Sequence, residues 1–171
     1  GAQFILLPET AVPEHYWEPS LSDAPGGRTP GAFWLELTDS LRTAHPEAML
    51  VTGANTLRRY EAGAQTPTAR YNRLDGSYYD IFNTAVGIDS AGRVSLHHKG
   101  RLWVFDVLKF LVIDLGGTLG QIGMGQHGTA FGHAGATVGP AICYEGLYGD
   151  FCGDFVRRGA QFLAIISNDG W

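Results

Sequence analysis

Cysteine is scarce in this 171-residue chain: Cys143 and Cys152 are the only two. A secreted domain of this size held by disulfides carries more. The fold must therefore rest on a packed core. Positive charge is also in short supply, with 12 Lys and Arg against 17 Asp and Glu and a net charge of −5. That balance excludes a nucleic-acid-binding surface. No segment reaches the roughly 18–20 uncharged apolar residues of a spanning helix. The most apolar stretch, Leu102 to Leu115, is interrupted by Asp106, Lys109 and Asp114. The chain opens on a strand-like segment with no basic leader, so no signal peptide is read. Glutamate is missing between Glu61 and Glu145.

What is present is ordinary for a globular domain: 44% hydrophobic residues, 17% charged and 24 glycines. The length fits one domain over residues 1–171. Gln3 to Leu7 is a short apolar run stopped by Pro8, as in a strand buried on both faces. Thr29 and Pro30 read as the N-cap and first position of a helix. Phe33, Trp34, Leu37, Leu41 and Ala44 continue it, and His45-Pro46 ends it. Met49 to Ala54 is the next strand, and Leu57 to Tyr71 reads as an irregular excursion. Tyr78 to Asp89 and Arg93 to His97 form a hairpin around Ser90-Ala91-Gly92. Gly116 to Gly135 predicts short strands and turns. Thr137 to Cys143 is a buried strand, Gly146 to Arg158 an amphipathic helix, and Phe162 to Ile166 a further buried strand. Strands alternate with helices, which defines an α/β layered domain.

Three separated residues each follow a strand: Glu9, Lys99 and Cys143. Strand ends of a layered sheet converge on one rim, so the three can share a pocket. Two of them also have a plainer reading. Cysteine is a small hydrophobe that is usually buried, and Glu9 suits a cap or loop. Their chemistry combines well. A thiol at a strand-to-helix turn is favoured as thiolate by the helix N-terminus. A carboxylate can take its proton during attack on a carbonyl. An ammonium and the Tyr144 N–H can hold the oxyanion. The product is an acyl-enzyme thioester.

The remaining chemistry-bearing residues read more plainly. Cys152 lies on the face of Tyr148 and Val156 and is core packing. His97, His98, His127 and His133 show no dependable zinc spacing, with or without Cys143, and His97 and His98 point to opposite faces of a strand. They read as solvated or hydrogen-bonded residues, with no metal and no cofactor. Trp103, Phe105, Leu108, Phe110 and Leu111 fit an ordinary core segment, or a lid that touches a bilayer and admits acyl chains.

The segment Phe4-Ile-Leu-Leu-Pro-Glu-Thr-Ala-Val-Pro13 resembles the Glu motif of the carbon–nitrogen hydrolase (nitrilase) superfamily. His97-His98-Lys99 resembles its Lys motif, and Gly139-Pro-Ala-Ile-Cys-Tyr-Glu145 its Cys motif. Within that superfamily the chain is most similar to the bacterial apolipoprotein N-acyltransferases. The points of likeness are Pro8-Glu-Thr-Ala-Val-Pro13, the Tyr-Glu after Cys143, and Ser167-Asn-Asp-Gly-Trp171. The resemblance implies an α-β-β-α layered sandwich, here an incomplete domain. It implies acyl transfer from a phospholipid, through a Cys143 thioester, to the N-terminal amine of a diacylglyceryl-cysteine lipoprotein. Glu9 would be the base and Lys99 the oxyanion holder. Tyr144, Glu145 and Trp171 would shape the acyl pocket, and Trp103 and Phe105 a lipid-facing lid. The implied setting is the periplasmic side of a bacterial inner membrane, reached through N-terminal membrane helices outside this sequence. The alternative is a soluble amidase or nitrilase-like hydrolase using the same three residues with water.

The likeness breaks after Lys99. Relatives carry a loop there with Pro, Gly and a further Glu, whereas Arg101-Leu102 runs straight into Trp103-Val104-Phe105. The resemblance therefore predicts a shortened or interrupted catalytic loop.

Overall fold

A computed structural model describes residues 1–18, 33–101 and 123–168. The main sheet has six strands: β1 (Phe4–Leu6), β2 (Val12–Trp17), β3 (Met49–Tyr60), β4 (Arg70–Tyr71), β5 (Tyr78–Ile88) and β6 (Val94–His98). The helix α1 (Phe33–Ala44) lies against β2 and β3. The smaller sheet holds β7 (Phe131–His133), β8 (Ala136–Ile142) and β9 (Phe162–Ile166). A 3-10 turn (Cys143–Leu147) and helix α2 (Gly149–Arg157) connect β8 to β9.

The long β3–β5 antiparallel ladder is the centre of the main sheet, running from Leu50 opposite Ile88 to Tyr60 opposite Tyr78. Strands β1 and β2 both pair with β3 in parallel, and β6 adds antiparallel to β5. In the smaller sheet β8 is central, antiparallel to β7 and parallel to β9. A tight turn at Ala134 (φ 49°) and Gly135 (φ 81°) joins β7 to β8. Two successive positive φ angles match the twist that a two-residue hairpin needs.

Side chains alternate across each strand, so each sheet has two faces to cover. Between the sheets lie Met49, Val51 and Ala85 from one side and Phe131, Val138, Ile142, Ala164 and Ile166 from the other. The opposite face of the main sheet buries Val12, Ala54, Val86 and Ile88, with Val94 and Leu96. The outer face of the smaller sheet packs Ala141 and Leu163 against Phe151 and Phe155 of α2. The order is therefore helix, sheet, sheet, helix, as the resemblance implies.

Three sequence expectations change. Residues 57–60 are not part of an irregular excursion: β3 continues to Tyr60, and Arg70–Tyr71 pairs with the same end of β5. The charges there mask a strand whose arginines are held sideways. Arg58 pairs with Glu18 at 2.7 Å and Arg59 with Asp75 at 3.0 Å. Strand β2 was not expected, because Pro13 and two titratable residues, Glu14 and His15, interrupt its apolar pattern. The ladder accommodates Pro13 where the register shifts between Val12 and His15. The helix after Cys143 starts later than read, at Gly149, and Leu147 and Val156 face solvent rather than the core. Tyr148 is extended (φ −95°, ψ 101°) and separates the 3-10 turn from α2. The Thr29-Pro30 helix start and residues 116–122 of the glycine-rich stretch lie outside the described residues.

Candidate active site

Glu9 sits on a bulge. Leu6 pairs with Val51 and Val12 with Ala54, so residues 7–11 oppose only Thr52 and Gly53. The surplus chain arches outward, held by Leu7 N–H to Val51 O at 2.8 Å and Gly53 N–H to Pro8 O at 3.1 Å. Thr10 takes a left-handed φ of 51° to complete the arch. Gly53 makes room for it, since a Cβ there would lie 2.5 Å from Glu9 Cα. The carboxylate is thereby buried at 4% exposure.

Lys99 follows β6 directly, and its backbone is pinned on both sides. Its N–H donates to Asn83 O at 2.8 Å, and its carbonyl accepts Gly125 N–H at 3.0 Å. Its ammonium donates to Glu9 Oε1 at 2.8 Å in a buried ion pair. Asn83 Nδ2 donates to the same oxygen at 2.6 Å. Glu9 Oε2 has no partner among the described residues. A carboxylate oriented through one oxygen, with the second left open, is suited to receive a proton.

Cys143 begins the 3-10 turn with a left-handed φ of 52°. For a residue with a Cβ this is an uncommon conformation, and such strain gathers at functional turns. Cys143 is half-buried, reduced, and packed against the inter-sheet core. The helix N-terminus invoked from the sequence is not at the thiol, because α2 begins six residues later.

What holds the Cys143 turn is Glu145, which is fully buried. Its Oε1 accepts Gly100 N–H at 2.5 Å. Its Oε2 accepts Ile142 N–H at 2.8 Å and lies 3.0 Å from His97 Nε2. One carboxylate thus ties the residue before Cys143 to the residue after Lys99. Tyr144, next to the thiol, is 43% exposed. At the far end of β9, Asn168 Nδ2 donates to Thr10 Oγ1 at 3.2 Å, linking the Glu9 bulge to the smaller sheet.

The histidines behave as their strand positions require. His97 turns inward to Glu145 and the Phe155 ring, and His98 turns to the opposite face beside Phe82. Burial first, then the nearby Arg58 guanidinium, pushes the His98 pKa down to about 3. His98 is therefore a neutral ring at pH 7, and its 3.2 Å approach to Glu18 is not an ion pair. Cys152 is half-buried and its thiol approaches Glu145 O and Gly146 O at 3.7 Å. Burial, then Glu145 and Asp150, raises its pKa. A raised pKa makes Cys152 a poor thiolate.

The structure thus brings Glu9 and Lys99 into contact and links Cys143 to the Lys99 strand through Glu145. Trp103, Phe105 and Trp171 lie outside the described residues. The sequence reading missed Asn83 and Gly53. Asn83, a lone amide inside the otherwise largely apolar β5, was the available signal. No sequence signal separates Gly53 from the other 23 glycines. Among the described residues, no His, Cys, Asp or Glu group forms a metal-binding cluster, and no helix is long and apolar enough to cross a membrane.

A layered α/β sandwich with Glu, Lys and Cys at these turns defines a class. The chain belongs to the carbon-nitrogen hydrolase family, whose model matches residues 1–171. A more particular likeness is to a curated apolipoprotein N-acyltransferase from Chlorobaculum tepidum. The two are 27% identical over 99% of this chain and 32% of the relative. Among solved structures, an amidase from Nesterenkonia sp. is similar at 18% identity and a TM-score of 0.49, covering 99% of this chain and 54% of the amidase. A carbon-nitrogen hydrolase from Helicobacter pylori G27 matches at 15% identity and a TM-score of 0.49, covering 81% of this chain and 39% of the other. The chain spans about a third of the curated relative and about half of the amidase.

Proposed function

We propose that this chain is the acyl-carrying part of a cysteine acyltransferase acting on lipid, of the apolipoprotein N-acyltransferase kind. The observation that carries the reading is the buried Lys99–Glu9 pair, 2.8 Å apart and joined across 90 residues. Buried ion pairs are seldom net stabilising, so a pair left with one open carboxylate oxygen points to chemistry. Likeness to the Chlorobaculum enzyme supports lipid over amide as substrate.

In this reading Cys143 Sγ attacks the acyl ester carbonyl of a phospholipid while its proton passes to Glu9. Lys99 and the Tyr144 N–H stabilise the tetrahedral oxyanion. Collapse breaks the ester C–O bond, and Glu9 returns the proton to the departing lysophospholipid oxygen. The thioester then meets the α-amine of a diacylglyceryl-cysteine. Glu9 takes the amine proton, the amide bond forms, the C–S bond breaks and the proton returns to sulfur. The setting is a bacterial inner membrane, with the site on the periplasmic side. No cofactor enters the sequence of steps.

The test uses the full-length polypeptide with vesicles of acyl-labelled phospholipid and a diacylglyceryl-cysteine peptide. The expected result is a hydroxylamine-labile label on Cys143 that moves to the peptide amine and is absent in Cys143→Ala. Release of free fatty acid without transfer, or hydrolysis of short amides alone, would establish the hydrolase instead. No label on Cys143 together with no hydrolysis of short amides would end both readings.

A further inference from the structure

The buried Glu145 carboxylate has a dedicated partner whose role the triad does not explain. His97 is fully buried, two residues before Lys99. Its Nδ1 accepts the Thr129 N–H at 3.3 Å, which leaves Nε2 as the ring donor to Glu145 Oε2 at 3.0 Å. Phe155 packs edge-on against the ring at 4.9 Å and Phe151 lies at 6.0 Å, which fixes its plane. Every hydrogen-bonding atom of the imidazole is used, and the ring has no access to solvent.

The bonds converge on one job. Glu145 Oε1 holds Gly100 N–H, and so the backbone beside Lys99. Glu145 Oε2 holds Ile142 N–H, and so the entry to the strained Cys143 turn. The terminal torsion of a carboxylate is intrinsically broad, and a third donor adds to the restraint of the two backbone N–H groups. His97 is that donor, and it stands on the Lys99 strand itself. We propose that His97 is a positioning residue: through Glu145 it sets the separation and orientation of Lys99 relative to Cys143. It touches neither substrate nor reacting atoms. This inference rests on the proposed Glu9–Lys99–Cys143 chemistry.

Small displacements of a reacting pair cost about 10- to 100-fold in rate. In the full-length polypeptide, His97→Phe fills the ring volume but removes both nitrogens. Its kcat should fall about 10- to 100-fold, with KM unchanged. The pH profile of Cys143 alkylation by iodoacetamide should move as well. His97→Gln, which restores a donor towards Glu145, should recover much of both. His97→Asn is polar but too short to bridge Glu145 and Thr129, so it should behave like Phe. It provides the same comparison if the Phe variant does not fold. A folded Phe or Asn variant with wild-type kcat and alkylation profile overturns the proposal, as does a folded Gln variant no better than Phe. Loss of the Cys143 thioester in wild-type protein would instead remove the underlying functional reading, while leaving the alkylation profiles to judge His97.

Discussion

Asn83 and Lys99 donate to the same oxygen of Glu9, at 2.6 and 2.8 Å, and Asn83 O also accepts the Lys99 N–H. One strand residue therefore orients both members of the ion pair. Replacing Lys99 with Met leaves a buried carboxylate with a single donor. Acyl transfer should fall by about 100-fold or more, and stability by about 3–5 kcal/mol. Single-turnover thioester formation and urea unfolding would measure the two effects. Asn83→Ala should cost less of each, because Lys99 remains. A larger loss in Asn83→Ala than in Lys99→Met would contradict this ordering.

Gly53 sets the position of the bulge. A Cβ there meets Glu9 Cα, Thr10 N and Pro8 O, all within 2.8 Å. These are backbone atoms, which cannot swing aside. Gly53→Ala should destabilise by about 1–3 kcal/mol, as overpacking does, and displace Glu9. The discriminating measurement is the ratio of activity loss to unfolding. Folded Gly53→Ala protein at full activity would show that the arch tolerates the methyl.

His98 gives the chain an acid-side sensitivity. Its folded pKa is about 3 against an ordinary value of 6.5. Between those values the unfolded chain binds a proton that the folded chain refuses. Stability should therefore fall as pH drops below 6.5, by up to about 1.4 kcal/mol per unit. Urea midpoints from pH 7 to 5 should show a shallower decline in His98→Asn than in wild type. Parallel declines would mean that other groups dominate.

Asp89 clasps the hairpin that delivers Lys99. Its Oδ1 accepts Ala91 N–H at 2.9 Å and Arg93 N–H at 2.8 Å, and its Oδ2 pairs with Arg93 Nε at 2.6 Å. Asp89→Ala should cost about 1–3 kcal/mol, the usual result of orphaning such groups. Thermal melting would register it. Arg93→Ala should cost less, since the arginine side chain is 83% exposed.

The layers and most strands were legible because apolar runs report burial directly. Phe162–Ile166 and Ala136–Ile142 are such runs, and both emerged within a residue of their expected limits. The continuation of β3 through Arg58 and Arg59 was not, because their charge looks like solvent exposure. In the structure Arg59 stacks over Trp17 at 4.9 Å and Arg58 over Phe82 at 5.2 Å. Glu9, Lys99 and Cys143 were legible as strand-end residues carrying motifs. Glu145 reads from the sequence as a pocket residue beside the thiol; in the structure its oxygens are occupied by Gly100, Ile142 and His97. Which way a side chain turns within a 3-10 turn depends on partners 45 and 48 residues away. Local pattern holds no such information.

The contact between Asn168 and Thr10 spans 158 residues of a 171-residue chain. Closing a loop of that size costs chain entropy that local structure cannot offset early. During synthesis, the arch bearing Glu9 is therefore without this clasp until 158 further residues have emerged. The Glu9 arch can be held by Val51, Gly53, Asn83 and Lys99 earlier, but its tie to the smaller sheet is made only once Asn168 has emerged.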